Sequence, residues 1–293
     1  MGRVDRVAIV GVGLIGGSLG MALKAKGIAR RVIGIGRSKG RLLRARDLKA
    51  VDEVSIDFKA GVRDADVVVL ATPVGVIPQI ARRIVPHLKE GSIISDVGSV
   101  KSCIVQEIEE FLPPETYFVG GHPMAGSERR GVSAADLKLF EGTICCLTPT
   151  DRTNPDALGL IKDIWEGVGA EVMLIPPSQH DLIAGGVSHL PHIIAVALVN
   201  MAGDLGRDDE RVFNLIAGGF RDATRIAASH PILWRDICLA NREVILKMIS
   251  RFKSVLSRME SMISGLKSDQ LLKELERAQG LRLEKVKDDR DQG

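Results

Sequence analysis

The sequence predicts an α/β protein in two parts: a doubly wound, mostly parallel sheet over residues 1–175, then an all-helical domain over residues 176–293. Three observations carry this. Short β-branched runs alternate with helical patterns through the first half. After Pro176-Pro177 no further strand pattern occurs, and the apolar spacing becomes helical throughout. The chain has 293 residues, a size at which single cores stop growing and chains divide into domains.

The elements follow in order. Residues 6–10 form a strand, pass through a glycine turn and enter a helix over about 15–26. Residues 31–35 are a second strand and about 40–48 a second helix. The run at 67–71 is wholly apolar, as expected for the middle of a sheet covered on both faces. Helices are predicted at 77–88, 101–111 and 154–168, and strands at 92–95, 117–120, 143–147 and 171–174. Beyond Pro177 the segments 188–205, 211–218, 223–228, 231–263 and 269–278 have helical periodicity. The tail from 267 is rich in mixed charge and reads as a solvated helix that frays over 287–293.

Composition excludes several classes. Apolar residues make up 45% and charged residues 26%, which fits neither a disordered chain, a collagen-like fibre nor a coiled coil. Forty Lys and Arg stand against 37 Asp and Glu, a net charge of +3, so no concentrated basic face points to nucleic acid. Aromatic residues are only 3%, too few for base-stacking platforms. Cys103, Cys145, Cys146 and Cys238 show no CxxC spacing, and the adjacent pair lies in an apolar strand. They read as core residues of a reducing compartment. The N-terminus shows no signal-peptide pattern. The longest stretch without formal charge, 182–203, holds Ser188, His189, Pro191, His192 and Asn200. So many polar groups are costly in lipid, and a buried helix lining a polar site is expected instead. A cytoplasmic protein is the reading.

Gly11-Val12-Gly13-Leu14-Ile15-Gly16 follows the first strand and opens the first helix. That is the placement a dinucleotide-binding fingerprint needs. Gly11 permits the tight turn, Gly13 lets the backbone approach a pyrophosphate, and Gly16 allows close helix–strand packing. Leu14 and Ile15 begin the helix whose free N–H groups face the phosphates. The N-terminal domain is therefore Rossmann-type. NAD sites usually carry an acid about 20 residues past the first glycine; here Gly36, Arg37, Ser38 and Lys39 occupy that stretch, with no acid until Asp47. Arg37 with Ser38 suits a 2′-phosphate, so NADP is slightly favoured over NAD. Thr72 and Pro73, after the strand at 67–71, complete the cofactor candidates.

Five phrases combine along the chain: GVGLIGGS at 11–18, DVGSVK at 96–101, GGHPMAGS at 120–127, SHLPH at 188–192 and GGFRDATR at 218–225. Together they resemble the prephenate/arogenate dehydrogenase family of tyrosine biosynthesis, over nearly the whole chain. The resemblance implies oxidation of a cyclohexadiene alcohol with loss of the ring carboxylate as CO2. Prephenate gives 4-hydroxyphenylpyruvate, with hydride passing to NAD(P)+. The alternatives are arogenate, which differs by an ammonium in place of a keto group, or acceptance of both substrates.

His122, after the strand at 117–120, matches the family's catalytic histidine, and an imidazole of pKa about 6.5 suits removal of a hydroxyl proton. The resemblance places the Ser99 hydroxyl against His122 and the nicotinamide; capping of the helix at 101–111 competes with that role. Arg225 is implied to bind the side-chain carboxylate, with Arg221 one turn away and Asp222 positioning a cation. His189 and His192, three apart on a helix, share a face and are assigned to substrate. A metal pair is the weaker reading, because no third ligand has suitable spacing. Ser127 and Glu128 belong to the loop after His122, where the resemblance makes Glu128 a gating acid. Trp234 walls the pocket or packs in the core.

Two other functions compete. Dehydrogenases of the wider group with a Rossmann and a helical domain use a Lys in the second domain; Lys247, the first Lys there, lies in the long C-terminal helix rather than beside GGFRDATR. A non-catalytic NADP sensor would not need His122, Ser99, His192 and Arg225. The resemblance implies a homodimer through the helical domain. The helix at 231–263, apolar on more than one side, agrees with that. No regulatory domain is expected after residue 264, so any inhibition by tyrosine would compete at the active site.

Overall fold

The structure, a computed structural model, describes residues 4–126 and 129–286. The chain runs β1 (Val4–Val10), α1 (Leu14–Ala25), β2 (Ala29–Ile35), α2 (Lys39–Asp47), β3 (Glu53–Ser55), α3 (Phe58–Val62), β4 (Val67–Leu70), α4 (Ile77–Ile84), β5 (Ile93–Asp96), α5 (Ser102–Phe111), β6 (Tyr117–Pro123), β7 (Ile144–Thr148), α6 (Pro155–Gly167) and β8 (Glu171–Leu174). Helices follow: α7 (Pro177–Ala184), a π-helical turn (Gly185–His189), α8 (Leu190–Asp208), α9 (Arg211–Asn214), α10 (Gly218–Thr224), a 3-10 turn (Arg225–Ala228), α11 (Pro231–Ala240), α12 (Arg242–Ser264) and α13 (Ser268–Lys285).

The strands form one sheet in the order β3-β2-β1-β4-β5-β6-β7-β8. All pairs are parallel except β6 with β7. Chain order reverses between β1 and β4, the switch point at which such sheets bind ligands beyond their strand ends. Alternation along β1 builds a core on each face. Val7 and Ile9 join Leu19 and Leu23 of α1 and Ile161 and Trp165 of α6 on one side. Ala8 and Val10 join Ile77 and Ile84 of α4 and Ile104 and Ile108 of α5 on the other. β4 is buried along its whole length, as its unbroken apolar run requires.

The sequence pattern misses five features. β3 is a half-buried edge of three residues, too short for an alternation to register, and the one-turn α3 behind it is missed with it. Helix 77–88 ends at Ile84, and Val85–His87 tightens into a 3-10 turn at Pro86, which lacks an N–H. The expected helix 231–263 is two helices, α11 and α12, separated at Asn241. Finally, α7 precedes the first helix expected in the helical domain, at 188; with the π-turn and α8 it makes one continuous helix, Pro177–Asp208. By length and composition that helix could cross a membrane. The fraying expected over 287–293 lies outside the described residues.

By packing, the chain divides into two compact units, Met1–Val244 and Ile245–Gly293. Helices α7 to α11 thus pack within the same unit as the sheet. α11 lies against the turn after β4 (Val74–Val76), and α7 against α5. In the second unit α12 and α13 are joined by a turn in which Leu266 has φ 51°, and Arg258 pairs with Glu274 at 3.4 Å.

One glycine tests the packing of the cofactor helix on the sheet. A Cβ on Gly20 of α1 would stand 2.1 Å from the Ala50 carbonyl oxygen. Gly20→Ala gains up to about 1 kcal/mol of helix propensity, but overpacking of this kind costs about 1–3 kcal/mol. We expect a net loss of about 1–2 kcal/mol in urea unfolding; a variant as stable as the parent would show that α1 shifts freely.

Candidate active site

The glycine turn sits at the C-terminal end of β1. Gly11 has φ +96°, and a Cβ there would lie 2.4 Å from the Ala71 carbonyl oxygen. A Cβ on Gly16 would lie 2.3 Å from the Gly11 oxygen, whereas Gly13 has nothing within 4 Å of that position. The turn is therefore closed against the sheet and open on the side where a pyrophosphate would lie, at the start of α1. Leu14 and Ile15 are the first residues of that helix. Thr72 and Pro73 follow β4 beside it, and the Thr72 hydroxyl is buried without a hydrogen-bond partner, a group ready for a ligand. Arg37 and Ser38 follow β2 and are exposed; the Ser38 hydroxyl accepts the Arg41 N–H at 3.4 Å and caps α2. These residues fit a dinucleotide.

His122 lies on β6 two strands from β4, where its backbone pairs with Cys146 of β7. It is buried, at 9% exposure. Its Nδ1 donates to Nε2 of His180 at 2.8 Å, and His180 Nδ1 donates to Asp181 Oδ1 at 2.9 Å. The same Asp181 oxygen accepts the Lys101 N–H at 2.7 Å, and Oδ2 accepts the Ser102 N–H at 2.8 Å. The carboxylate thus caps the N-terminus of α5, where free N–H groups and the helix dipole favour an anion. Burial alone would raise the Asp181 pKa, but hydrogen bonds from His180, Ser102 and Lys101 outweigh it and hold the carboxyl below its usual range. An ionised Asp181 only accepts. It therefore places the His180 proton on Nδ1, leaves His180 Nε2 to accept from His122 Nδ1, and leaves His122 Nε2 with the lone pair.

His189 and His192 sit one turn apart at the head of α8, both buried. His189 Nδ1 accepts from Asn241 Nδ2 at 3.1 Å, and the same amide donates to the Asp181 carbonyl at 2.9 Å. His192 stacks on Trp234 with ring centroids 3.5 Å apart and planes 4° apart, while His189 meets that indole edge-on at 6.1 Å. Trp234 also packs against the core on the α4–α5 face, so it both lines the histidine cluster and belongs to the core. His192 Nδ1 is buried without a partner. Among the described residues no cluster of three His, Cys, Asp or Glu could hold a metal.

The structure thus brings His122, His189, His192 and Trp234 together. It brings His122 to His180 rather than to Ser99. Among the described residues no hydrogen bond joins Ser99 to His122, and the capping alternative for Ser99 is not realised either, because Asp181 caps α5. Arg225 is exposed at the end of α10, where the Arg225–Ala228 turn packs on α8. Asp222 and Arg221 are exposed on α10, and Arg221 bonds the Ile216 carbonyl at 3.3 Å. Ser127 and Glu128 lie outside the described residues. His180, Asp181 and Asn241 escaped the sequence reading. A proline at the first helical position, as Pro177 is, marks a helix start, and that signal would have put His180 and Asp181 on a helix.

The family model described as prephenate dehydrogenase, nucleotide-binding domain, matches residues 19–174, and the one described as prephenate dehydrogenase, dimerization domain, matches residues 176–277. The chain belongs to the prephenate dehydrogenase family. It is 38% identical over 250 residues to the prephenate dehydrogenase of Bacillus subtilis strain 168, covering 83% of this chain and 66% of that protein. It is 36% identical to the cyclohexadienyl dehydrogenase of Zymomonas mobilis, over 94% of each. A. aeolicus prephenate dehydrogenase, solved in complex with hydroxyphenyl propionate and NAD+, superposes with a TM-score of 0.91 at 36% identity, over 96% of this chain and 98% of that one.

As a member of the prephenate dehydrogenase family the chain is an NAD(P)-dependent dehydrogenase, and its histidines are tuned accordingly. Burial, then His180, Lys101 and His189, hold the His122 pKa well below 6.5, against the opposing pull of Asp181. Burial lowers His189 to about 4 and also lowers His192. All three are neutral bases at pH 7.

This has a stability consequence. A folded pKa below the unfolded value near 6.5 gives stability that is complete above pH 6.5 and lost as pH falls. For His189 the loss runs from about 6.5 to about 4 and amounts to roughly 3 kcal/mol. Asp181 has the same sign, its loss falling below the usual carboxylate range. We expect the urea midpoint to drop between pH 7 and pH 4, and His189→Gln to flatten that slope. A midpoint independent of pH over that range would refute the neutral, buried histidines.

Proposed function

We propose that the chain carries out oxidative decarboxylation of prephenate to 4-hydroxyphenylpyruvate, with His122 as the base. The observation that carries this is the His122–His180–Asp181 chain of hydrogen bonds. It presents a neutral imidazole with Nε2 as its basic atom, near the strand ends that hold the dinucleotide turn. The bound nicotinamide supplies the hydride acceptor, and loss of CO2 leaves an aromatic ring. His122 takes the proton of the 4-hydroxyl at Nε2. His180 shares the positive charge that develops, and Asp181 offsets it without taking the proton. His189, His192 and Trp234 wall the ring, and the unpartnered His192 Nδ1 is a group that bonds the substrate. Arg225 orients the side-chain carboxylate, Asp222 positions a neighbouring cation and Ser99 completes the polar lining; Glu128, with Ser127 before it in sequence, keeps the gating role that the resemblance implies.

Residues 1–175 form the cofactor domain in this reading, and residues 176–293 the substrate and dimerisation domain. The stretch after β2 supports acceptance of NADP, since residues 36–39 hold Arg37 and Lys39 but no acid. The exposed apolar side chains Leu182, Ile183, Val187, Val199, Met201 and Leu205 lie along the helix Pro177–Asp208. They support a homodimer better than a membrane span, because the same helix buries His180, Asp181, His189 and His192. The match to a dimerization domain over residues 176–277 supports the same reading, and we propose a cytoplasmic homodimer. Arogenate is the second reading, supported by the similarity to a Synechocystis arogenate dehydrogenase at 30% identity.

Absorbance at 340 nm with prephenate or arogenate, each with NAD+ or NADP+, tests substrate and cofactor together. Prephenate turnover is expected, with NADP+ accepted; absence of turnover in all four mixtures would sink the proposal. His122→Asn should lose at least about 100-fold in kcat, the usual worth of general-base catalysis, while keeping cofactor affinity. Arg225→Gln should raise KM by the worth of a lost carboxylate clamp, about 2 kcal/mol or more. Sedimentation at micromolar concentration should show a dimer, and Met201→Glu a monomer.

A further inference from the structure

Behind His122 lies an ion pair that the mechanism above does not use. Lys101 and Asp96 are both wholly buried. Lys101 Nζ bonds Asp96 Oδ2 and donates to the Gly121 carbonyl at 2.8 Å. Asp96 Oδ1 accepts the Gly121 N–H at 3.1 Å, and Oδ2 accepts the Gly98 N–H at 2.8 Å. Both backbone groups of the residue before His122 are therefore held by side chains.

The topology explains why. β6 pairs with β5 only as far as Ser95 with Val119, then continues to Pro123 beside β7. On its open side Gly121 has lost its strand partner, and the ion pair replaces it. Only glycines suit this arrangement. A Cβ on Gly121 would lie 2.8 Å from the Asp96 carbonyl oxygen, and one on Gly120 would lie 2.4 Å from Thr148 Oγ1 and 3.7 Å from Lys101 Cδ. Packing alone does not require charge here, since buried pairs are often replaceable by apolar side chains at no loss of stability.

We infer that Lys101, clamped by Asp96, is a positioning residue that keeps His122 in its basic form and in place. The inference rests on His122 being the base. Charged and titratable groups face His122 from each neighbouring element: Asp96 from β5, Lys101 before α5, Cys145 and Cys146 from β7, His180 and Asp181 from α7, and His189 from the π-turn. Burial raises both thiols, so they are neutral where the enzyme works. Asp181 stabilises the imidazolium, whereas Lys101 opposes it as the fixed buried cation of the set.

The test is the acid limb of kcat/KM against pH, measured with saturating cofactor, alongside NMR titration of the 15N-labelled His122 ring. The limb follows the His122 pKa, so loss of a nearby cation moves it up. Lys101→Met should raise it by about one pH unit. Lys101→Met with Asp96→Asn removes both charges and should place it between wild type and the single variant, because the cation dominates at His122. The double variant also leaves no buried charge alone, so it serves if the single variant does not fold. A folded variant, single or double, whose limb and His122 titration both match wild type would reduce the pair to a structural clamp and overturn the inference. Failure of the underlying reading looks different: His122→Asn would then keep its kcat, while the ring titration would still report the effect of Lys101.

Discussion

One carboxylate joins the two halves of the active site. Asp181 receives the first two N–H groups at the head of α5, the ring of His180 and, at its own carbonyl, the amide of Asn241. A buried carboxylate is costly unless its lone pairs are filled, and here donors from the head of α5 and from His180 of α7 fill them, while Asn241 at the α11–α12 junction holds the backbone carbonyl of the same residue. The same four contacts fix the helix start that follows β5, the seat of α7 on the sheet domain and the tautomers of two histidines. Electrostatics and architecture cannot be separated at this point. The ionisation that makes His122 a base partner is the ionisation that pins α7 to α5.

The parts of this arrangement differed in how far the sequence disclosed them. The sheet was legible because buried parallel strands are continuous apolar runs, as in β4, and because the glycine turn has a spacing fixed by phosphate geometry. His122 was legible through its motif. His180 and Asp181 were not. They stand on a helix that begins at a Pro-Pro pair, which reads as a boundary, and a histidine beside an aspartate has no periodic signature. Asn241 was hidden for the opposite reason. Apolar spacing runs on through residues 231–263, and only the three-dimensional demand of Asp181 and His189 for a donor explains a break at that residue. Ser99 is a third kind of case: its motif placed it at His122, whose Nδ1 is taken by His180, and no hydrogen bond joins the two among the described residues.

The net charge of +3 conceals how the site handles charge. Inside it, one carboxylate faces two histidines, and one ammonium is matched by a second carboxylate behind them. His122, His189 and His192 are kept neutral by burial, which costs stability in acid, yet a neutral imidazole is what proton removal needs. The scarcity of aromatic residues has a similar local meaning. One of only two tryptophans, Trp234, is spent on stacking with His192, so a planar surface is concentrated at the histidine cluster.

The π-turn in the helix Pro177–Asp208 follows from the same requirement. His180 and His189 are nine residues apart, and in a regular α-helix, at about 100° per residue, they would point in opposite directions, about 180° apart. A π-turn takes in roughly one extra residue, which removes about 100° and brings the two rings to within about 80° of each other. The turn at Gly185–His189 lies between them, where Gly185 also permits close approach, since a Cβ there would stand 2.5 Å from Val244 Cγ1. With that offset His180 reaches His122 while His189 reaches Asn241, and both bonds converge on Asp181. A helix without the turn would send one of the two histidines away from the site, so the irregularity is the local cost of placing both on one element.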